Sequence, residues 1–532
     1  MNASISRYDV IVIGGGHNGL VTAGLLAKRG RRVLVLERRE RVGGAATTEQ
    51  PWGPDFKMTA LSYVVSLMPP TVLRELELEK HGYKVYPQHG YFAPRADGRY
   101  LQMHADAARR HAEIAKFSAR DADAYEAWET WIGRLGALLG PLLGTIPPKL
   151  GSHAPGDLVS QLALAWKLRE VDDRLVADLT RLMTMSVADL LDDHFESDAL
   201  KGVLSVSGII GTWAGPRAPG TAYVMAHHKI GDVGEGQMGS WGFPEGGMGG
   251  VTEAMRKAAL SHGVTIRTNA SVERIVVRGN VAHGVVLRGS GEEIFADVIV
   301  ATTHPKITFL EQLSRDELPA EFVTAIERWK SRSGTVKVNV AVDRLPEFTC
   351  KRGYDPEVHG GTIVLAESVD DLEGAFQDAA AGRTARVPFA DICIPSVFDP
   401  TLAPPGNHVM SMFTQWVPQE FATQPNRAEL EAYADRVVAR VEQVAPGFTS
   451  SILHRQVLGP YEMETEYSLL GGNIFHGELS AHQLFHMRPA PGYADFKTPI
   501  AGLFQASSAT HGGGGVTGIP ALQVVRQITR GR

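Results

Sequence analysis

Two cysteines in 532 residues, Cys350 and Cys393, stand 43 positions apart. That spacing excludes a C-x-x-C redox pair and a zinc ribbon and suits a reducing compartment. No apolar run reaches the 18 or so residues of a membrane span. Seven residues precede the first strand-like run, too few for a signal or transit peptide. The expectation is a cytoplasmic protein, with peripheral contact to a membrane surface left open. Charge of one sign is also scarce, with a formal net of −6, so no basic footprint for nucleic acid exists. Repeats and low-complexity tracts are missing, and no metal site is expected. With 44% hydrophobic and 21% charged residues the composition is that of an ordinary globular chain. Its length exceeds what one core supports and predicts two intertwined domains.

What is present is concentrated at the start. Residues 8–49 read YDVIVIGGGHNGLVTAGLLAKRGRRVLVLERRERVGGAATTE, a βαβ unit of the kind that holds a dinucleotide. Gly14 permits the turn off the first strand, Gly16 lets backbone approach a pyrophosphate, and Gly19 lets the helix pack on the sheet. His17 and Asn18 lie inside this turn, where phosphates meet unpaired N–H groups at the helix N-terminus. Glu37 falls 18 residues after Gly19, near the offset of about 20 at which an acid accepts from ribose hydroxyls. Arg38 suits a 2′-phosphate instead, and Glu37 ahead of it argues against that.

The continuation decides which dinucleotide. Arg41, Gly43 and Gly44 make R-x-G-G, an extension found in flavoproteins that bind FAD extended through the domain. Small residues, Ala45 included, admit a second backbone segment to the cofactor, and Arg41 neutralises phosphate charge. FAD is the cofactor implied.

Farther along, residues 72–82 carry a helix pattern with a glycine stop, and short strands follow at 84–86 and 90–92. Residues 104–202 are largely helical, with apolar spacing near 3.6 at 123–139 and 158–168. The interval 140–156, GPLLGTIPPKLGSHAPG, carries Pro141, Pro147, Pro148 and Pro155 and predicts a break in the helix. It reads either as a mobile apolar lid or membrane-touching flap, or as a buried inter-helix loop, the favoured expectation. The glycine-rich turn at 239–259 opens a helix without a strand before it, so it is not a second nucleotide site. Strands are expected at 264–266, 271–277, 281–287, 293–301, 335–342, 391–395 and 409–414, and an amphipathic helix at 429–444.

Near the C-terminus a short strand at 502–505 leads into ASSATHGGGGVTG, residues 506–518, and a final helix from Ile519. A glycine loop opening a helix brings bare N–H groups to the pyrimidine end of a flavin, where they stabilise negative charge on the reduced ring. His511, at the mouth of the loop, is either a proton donor near the flavin or a hydrogen-bonding cap on the strand end.

With both ends read, the chain resembles the phytoene desaturase-like branch of FAD-dependent oxidoreductases over nearly its whole length. GGGHNGLV at 14–21, ERRERVGGAATTE at 37–49, PEGGMGG at 244–250 and THGGGGVTG at 510–518 carry the resemblance. LELEKHG at 76–82, NVAVDRLP at 339–346, CIPSVFDPTLAPPG at 393–406 and GGNIFHG at 471–477 are similar to one disulphide-oxidoreductase-named subfamily, although this chain has no redox disulphide.

The resemblance implies an α/β fold in which a Rossmann-type FAD-binding domain carries an inserted α+β substrate domain. The FAD-binding domain would comprise residues 1–82, 239–310 and 491–532, with substrate-domain insertions at 83–238, largely helical, and 311–490. It implies that Gly14, Gly16, Gly19, Glu37, Gly43 and Gly44 hold the ADP half of FAD, that Val272 presents backbone to the adenine, and that Gly514, Gly515 and Val516 lie near the isoalloxazine. Two departures touch the flavin end. The usual proline after the loop histidine is Gly512, and Ile519-Pro520-Ala521 replaces a Gly-Arg-Asn-type run.

The activity implied is dehydrogenation, or isomerisation through transient oxidation, of an apolar polyene, carotenoid or other lipid, with hydride passing to flavin N5. The electron acceptor is left between a quinone and oxygen. His511, His304 and Trp241 are the candidates for facing the ring, and each also has a structural reading: His304-Pro305 as a turn, Trp241 as core. The rivals are an oxygen-using flavin oxidase or ketolase, and a lipid-binding or escort protein without turnover. An NAD-dependent dehydrogenase is disfavoured by R-x-G-G.

Overall fold

The computed structural model describes residues 8–169, 171–233 and 239–530. The expected segment boundary at 238 lies outside them. Among the described residues two seven-stranded sheets organise the chain.

The first sheet is built from three distant pieces of sequence. Its centre is Tyr8–Ile13, flanked in parallel by Val33–Leu36 and by Glu293–Ala301. Thr265–Arg267 extends it beyond Val33–Leu36, and Leu503–Gln505 joins Glu293–Ala301 in parallel. Val272–Arg278 and Val281–Leu287 add an antiparallel meander. Val10, Ile11, Val12 and Val33 to Leu36 are all buried, because helices or loops cover both faces of a parallel sheet. One face packs on the helices His17–Lys28, Met248–Ser261 and Ile519–Arg530.

The second sheet runs Ile452–Leu458, Thr335–Val342, His408–Gln415, Phe389–Cys393, Thr362–Leu365, Tyr91–Pro94, Tyr100–Gln102. Thr335–Val342 is buried at every position and pairs antiparallel on both sides. Its β-branched valines suit such a strand. The helix Ala119–Leu143 and the helices of residues 173–228 share its apolar core.

Local differences from expectation have identifiable causes. The helix pattern at 72–82 splits into Pro70–Glu75 and a 3₁₀ turn Leu78–His81, because Glu77 between them adopts a left-handed conformation at φ 48°. The helix Ala119–Leu143 runs through Pro141 instead of breaking at Gly140. Pro141 sits in the last turn, so the kink its ring imposes has little helix beyond it to disturb. A short strand, Gly242–Pro244, does precede the helix Met248–Ser261, but it pairs with Val85–Pro87, outside the nucleotide sheet. In the 140–156 interval Leu143, Pro147 and Pro148 are buried, as a packed loop requires, whereas Leu150 is 69% exposed.

Candidate functional site: a nucleotide cradle opening into an apolar chamber

The glycines of the first turn answer to different neighbours. Gly14 has φ +101°, and a Cβ on it would meet Thr302 Oγ1 at 2.6 Å; a Cβ on Gly19 would lie 2.0 Å from the Gly14 carbonyl oxygen. Gly16 differs. Its φ of −71° is ordinary, and the nearest atom to an added Cβ is Gly44 Cα at 3.9 Å. No protein neighbour demands glycine there, yet Gly16 borders the open cradle beside Gly14, Gly43 and Gly44. That is the space a pyrophosphate needs against bare backbone. Gly43 and Gly44 reach this position because the Gly43 N–H donates to the Gly15 carbonyl at 2.9 Å.

Glu37 is buried at the end of Val33–Leu36. One carboxylate oxygen accepts from the Gly15 N–H at 2.7 Å and the other from the Arg39 N–H at 2.8 Å. Each oxygen retains a lone pair for a hydroxyl donor.

Polar atoms without protein partners border the same cradle: His17 Nε2, Asn18 Oδ1, His476 Nδ1 and Gln312 Oε1. A buried polar atom left unpaired costs about 1–3 kcal/mol, so four along one groove mark a polar ligand. The donor and acceptor set and the open backbone at Gly16 fit FAD. Burial keeps two of these imidazoles neutral, lowering His17 to about 4 and His476 to about 3. They therefore meet the ligand without positive charge.

Ala45 and Val272 also border the cradle, and the Val272 carbonyl accepts from Gln312 Nε2 at 3.2 Å. Arg38 borders it too, with its guanidinium donating to the Thr465 and Glu466 carbonyls at 3.1 and 2.6 Å. Arg41 points elsewhere, paired with Glu40 at 2.5 Å in an exposed side groove. Gly515 and Val516 reach the adjoining chamber. Gly514 packs on Phe475, and Val516 holds φ +59°, a strained conformation for a β-branched residue.

The three ring-facing candidates separate. Trp241 lines the chamber, with its ring 5.9 Å from His228. His304 borders the cradle instead. Its Nδ1 accepts from the Lys306 N–H at 3.1 Å, so Nε2 carries the proton and donates to the His476 carbonyl at 3.0 Å. Burial pushes its pKa well below the usual range. His511 is 1% exposed and lines neither cavity. Its Nε2 donates to the Leu142 carbonyl at 3.1 Å, so it caps the end of the helix Ala119–Leu143.

Where the cradle ends a second cavity begins, the two sharing His17, Ala45, Leu469, His476 and Ser508. Leu61, Tyr91, Ile210, Trp241, Phe413 and Phe475 make most of its wall apolar or aromatic. On the part not shared with the cradle, three polar groups cluster. Lys337 donates to Ser411 and lies over the Tyr63 ring at 4.1 Å, while the Tyr63 hydroxyl donates to Asp391 at 3.3 Å. Burial lowers the Lys337 amine to about 7 and raises the Asp391 carboxyl to about 7. These groups, with His476 and Gln312, escaped the sequence reading. The available signal was a lone lysine in TVKVNVAV and a lone aspartate in FADIC, charges inside otherwise apolar strands.

A glycine-turn cradle fitted to FAD, continuous with an apolar chamber, defines a flavoprotein oxidoreductase. The chain belongs to the flavin-containing amine oxidoreductase family, whose model matches residues 19–519. It is 38% identical over 547 residues to pyridine nucleotide-disulfide oxidoreductase domain-containing protein 2 of Rattus norvegicus, covering 98% of this chain and 94% of that one. It is 25% identical to one of the subunits of the limonene dehydrogenase of Castellaniella defragrans, covering 99% and 95%. Among solved structures, a redesigned putrescine oxidase superposes with TM-score 0.61 at 14% identity over 99% of both chains, a likeness of fold. The protein is an FAD-dependent oxidoreductase on the α/β flavoprotein fold.

Proposed function

We propose that the protein dehydrogenates an apolar substrate of the polyene, terpene or other lipid class, or isomerises it through transient oxidation. The observation that carries this reading is the chamber wall, mostly aromatic and aliphatic and continuous with the flavin cradle. The limonene dehydrogenase relative, aligned over nearly its full length, supports it by its name.

Bound FAD supplies the hydride acceptor. The chain's own groups orient the substrate. Tyr91, Trp241 and Phe413 offer flat apolar contact and exclude water, and Tyr63, Lys337 and Asp391 form a hydrogen-bonding cluster on its wall. Neutral His17 and His476, at the junction of the two cavities, keep positive charge away from an apolar reactant. The residues that hold the cofactor in this reading are the glycine turn, Glu37, Ala45, Val272 and the loop at Gly514 to Val516, with the domain segments as expected from sequence.

The test is a visible spectrum of the purified protein, then anaerobic reduction and timed reoxidation. A flavin bleached by a terpene or carotenoid, returning slowly in air and quickly with a quinone, is the expected result. Rapid reoxidation by air turns the assignment to an oxidase or ketolase. Failure to bind or reconstitute flavin leaves a lipid-binding protein.

A further inference from the structure

Arg488 is 2% exposed and has no acid beside it. Among the described residues no carboxylate pairs with its guanidinium, and the one acidic group near enough to raise its pKa is the Tyr223 phenol. Burial lowers that pKa only to about 10, so the group is a cation at neutral pH. An interior charge without a counter-ion is costly to keep.

Its neighbours are backbone carbonyls and one ring. Nη2 donates to the Phe475 and Ser508 carbonyls at 2.8 and 3.1 Å, and Nε donates to the Thr510 carbonyl at 3.2 Å. The guanidinium lies 5.3 Å over the Trp329 ring, while Nη1 is buried without a hydrogen-bond partner. The three carbonyls belong to two loops that wall the flavin space. Phe475 lines the chamber, and Ser508 lies where the chamber meets the cradle. Thr510 opens the terminal glycine run, and its carbonyl also accepts from the Gly513 N–H at 3.0 Å. Arg488 therefore stands directly behind the cavity wall and clamps the two loops together.

The front of the glycine loop is unbalanced in the same sense. Among the described residues the N–H groups of Gly514, Gly515 and Val516 have no backbone acceptor, and Gly515 and Val516 border the chamber. Donors in front and a cation behind make a wall suited to negative charge in the cavity.

We propose that Arg488 is a positioning residue of the flavin site: its fork sets the terminal glycine loop, and its unpaired charge, acting through that loop, favours reduced flavin in the anionic form. Hydride arriving at flavin N5 leaves one negative charge over N1 and the C2 carbonyl. Arg488 balances that charge without giving up a proton. Its field reaches both cavities, because the protein interior screens a charge far less than water does. Burial is the larger cause of the low pKa of His476 and of His304, and the Arg488 charge adds to it in both. His476 lines the chamber and the cradle, and His304 borders the cradle. The proposal rests on bound FAD and is independent of which substrate the chamber takes.

Photoreduction of the holoprotein beside a reference dye measures the flavin potential with no substrate present. Arg488→Gln removes the charge and Arg488→Lys keeps it, while both break the three-carbonyl fork. At pH 6, chosen to keep the lysine amine protonated, the potential of Arg488→Gln should fall by at least about 30 mV, a tenfold change in the two-electron equilibrium. Its affinity for sulfite, which adds to flavin N5 and leaves the same negative charge, should fall by a similar factor. Arg488→Lys should stay close to the wild type in both, although flavin retention drops in both variants. Equal shifts in the two variants reduce Arg488 to a strut and overturn the charge role, as do unchanged potentials. The wild type supplies a check that needs no variant to fold. Its photoreduced flavin should keep the anionic spectrum from pH 8 down to about pH 5, and protonation anywhere in that range overturns the proposal. Failure of terpenes and carotenoids to bleach the flavin, with these results intact, counts against the substrate reading alone.

Discussion

The Glu37 carboxylate lies 2.7 Å from the backbone nitrogen of Gly15, so the acid at the end of one strand holds the glycine turn at the end of its neighbour. The residue expected to meet a ribose is also part of the scaffold that shapes the phosphate site. Glu37→Ala leaves the Gly15 and Arg39 N–H groups without that acceptor. A loss of about 2 kcal/mol is expected for such buried donors, together with lower flavin occupancy. Thermal melting and the ratio of flavin to protein absorbance measure both.

Gly16 and Gly19 should fail in different ways. Gly16→Val adds bulk where no protein atom stands within 3.9 Å of the new Cβ, so the apoprotein should melt normally while flavin retention falls at least tenfold. Gly19→Ala drives a Cβ to 2.0 Å from a carbonyl oxygen and should destabilise the fold by roughly 3 kcal/mol. Equal flavin loss with equal loss of melting temperature in both variants would contradict this division.

Asp391 and Lys337, each brought to about 7 by burial, place a titration in the chamber near neutral pH. Below pH 7 the Asp391 carboxyl is protonated and donates; above it, the carboxylate accepts. The KM for a substrate with one polar end should therefore vary between pH 6 and 8. In Asp391→Asn that variation should shrink while kcat on its plateau changes little. A profile unchanged by the substitution removes Asp391 from substrate binding.

His227 is 2% exposed, and neither ring nitrogen has a protein partner. Burial lowers its pKa from 6.5 to about 3. A depressed histidine contributes stability that is present above 6.5, where both states are neutral, and lost as pH falls toward 3, because only the unfolded chain takes up the proton. His227→Leu should match or exceed wild-type stability at pH 7. At pH 5 it should lead by about 2 kcal/mol, measured by urea unfolding at both values. A constant difference across pH assigns the effect to packing.

The nucleotide half was legible because its signals are local. Val10 to Ile13, the glycine register and Glu37 lie within 30 residues, and each glycine's task depends on the turn it occupies. Strands at 281–287, 293–301 and 335–342 coincide with those observed, since β-branched runs between turn residues need no distant partner to be recognised. Trp241 and Lys337 show the opposite case. They are nearly 100 positions apart in sequence and line one chamber, which no spacing rule connects.

The cofactor class, the first βαβ unit and the glycine loop that returns at Gly512 to Gly515 were all written in the order of residues, because backbone conformation there depends on residue type within a single turn. Folding in three dimensions was needed to establish that His511 caps a helix end, that His304 faces the cradle, that Arg41 turns away from it, and that the apolar side of the helix Pro155–Lys167, from Leu158 to Trp166, faces outward. Periodicity shows that a helix has an apolar side. Which way that side turns depends on polar contacts such as Gln161 with Lys149 and Ser152, made only once the chain has folded.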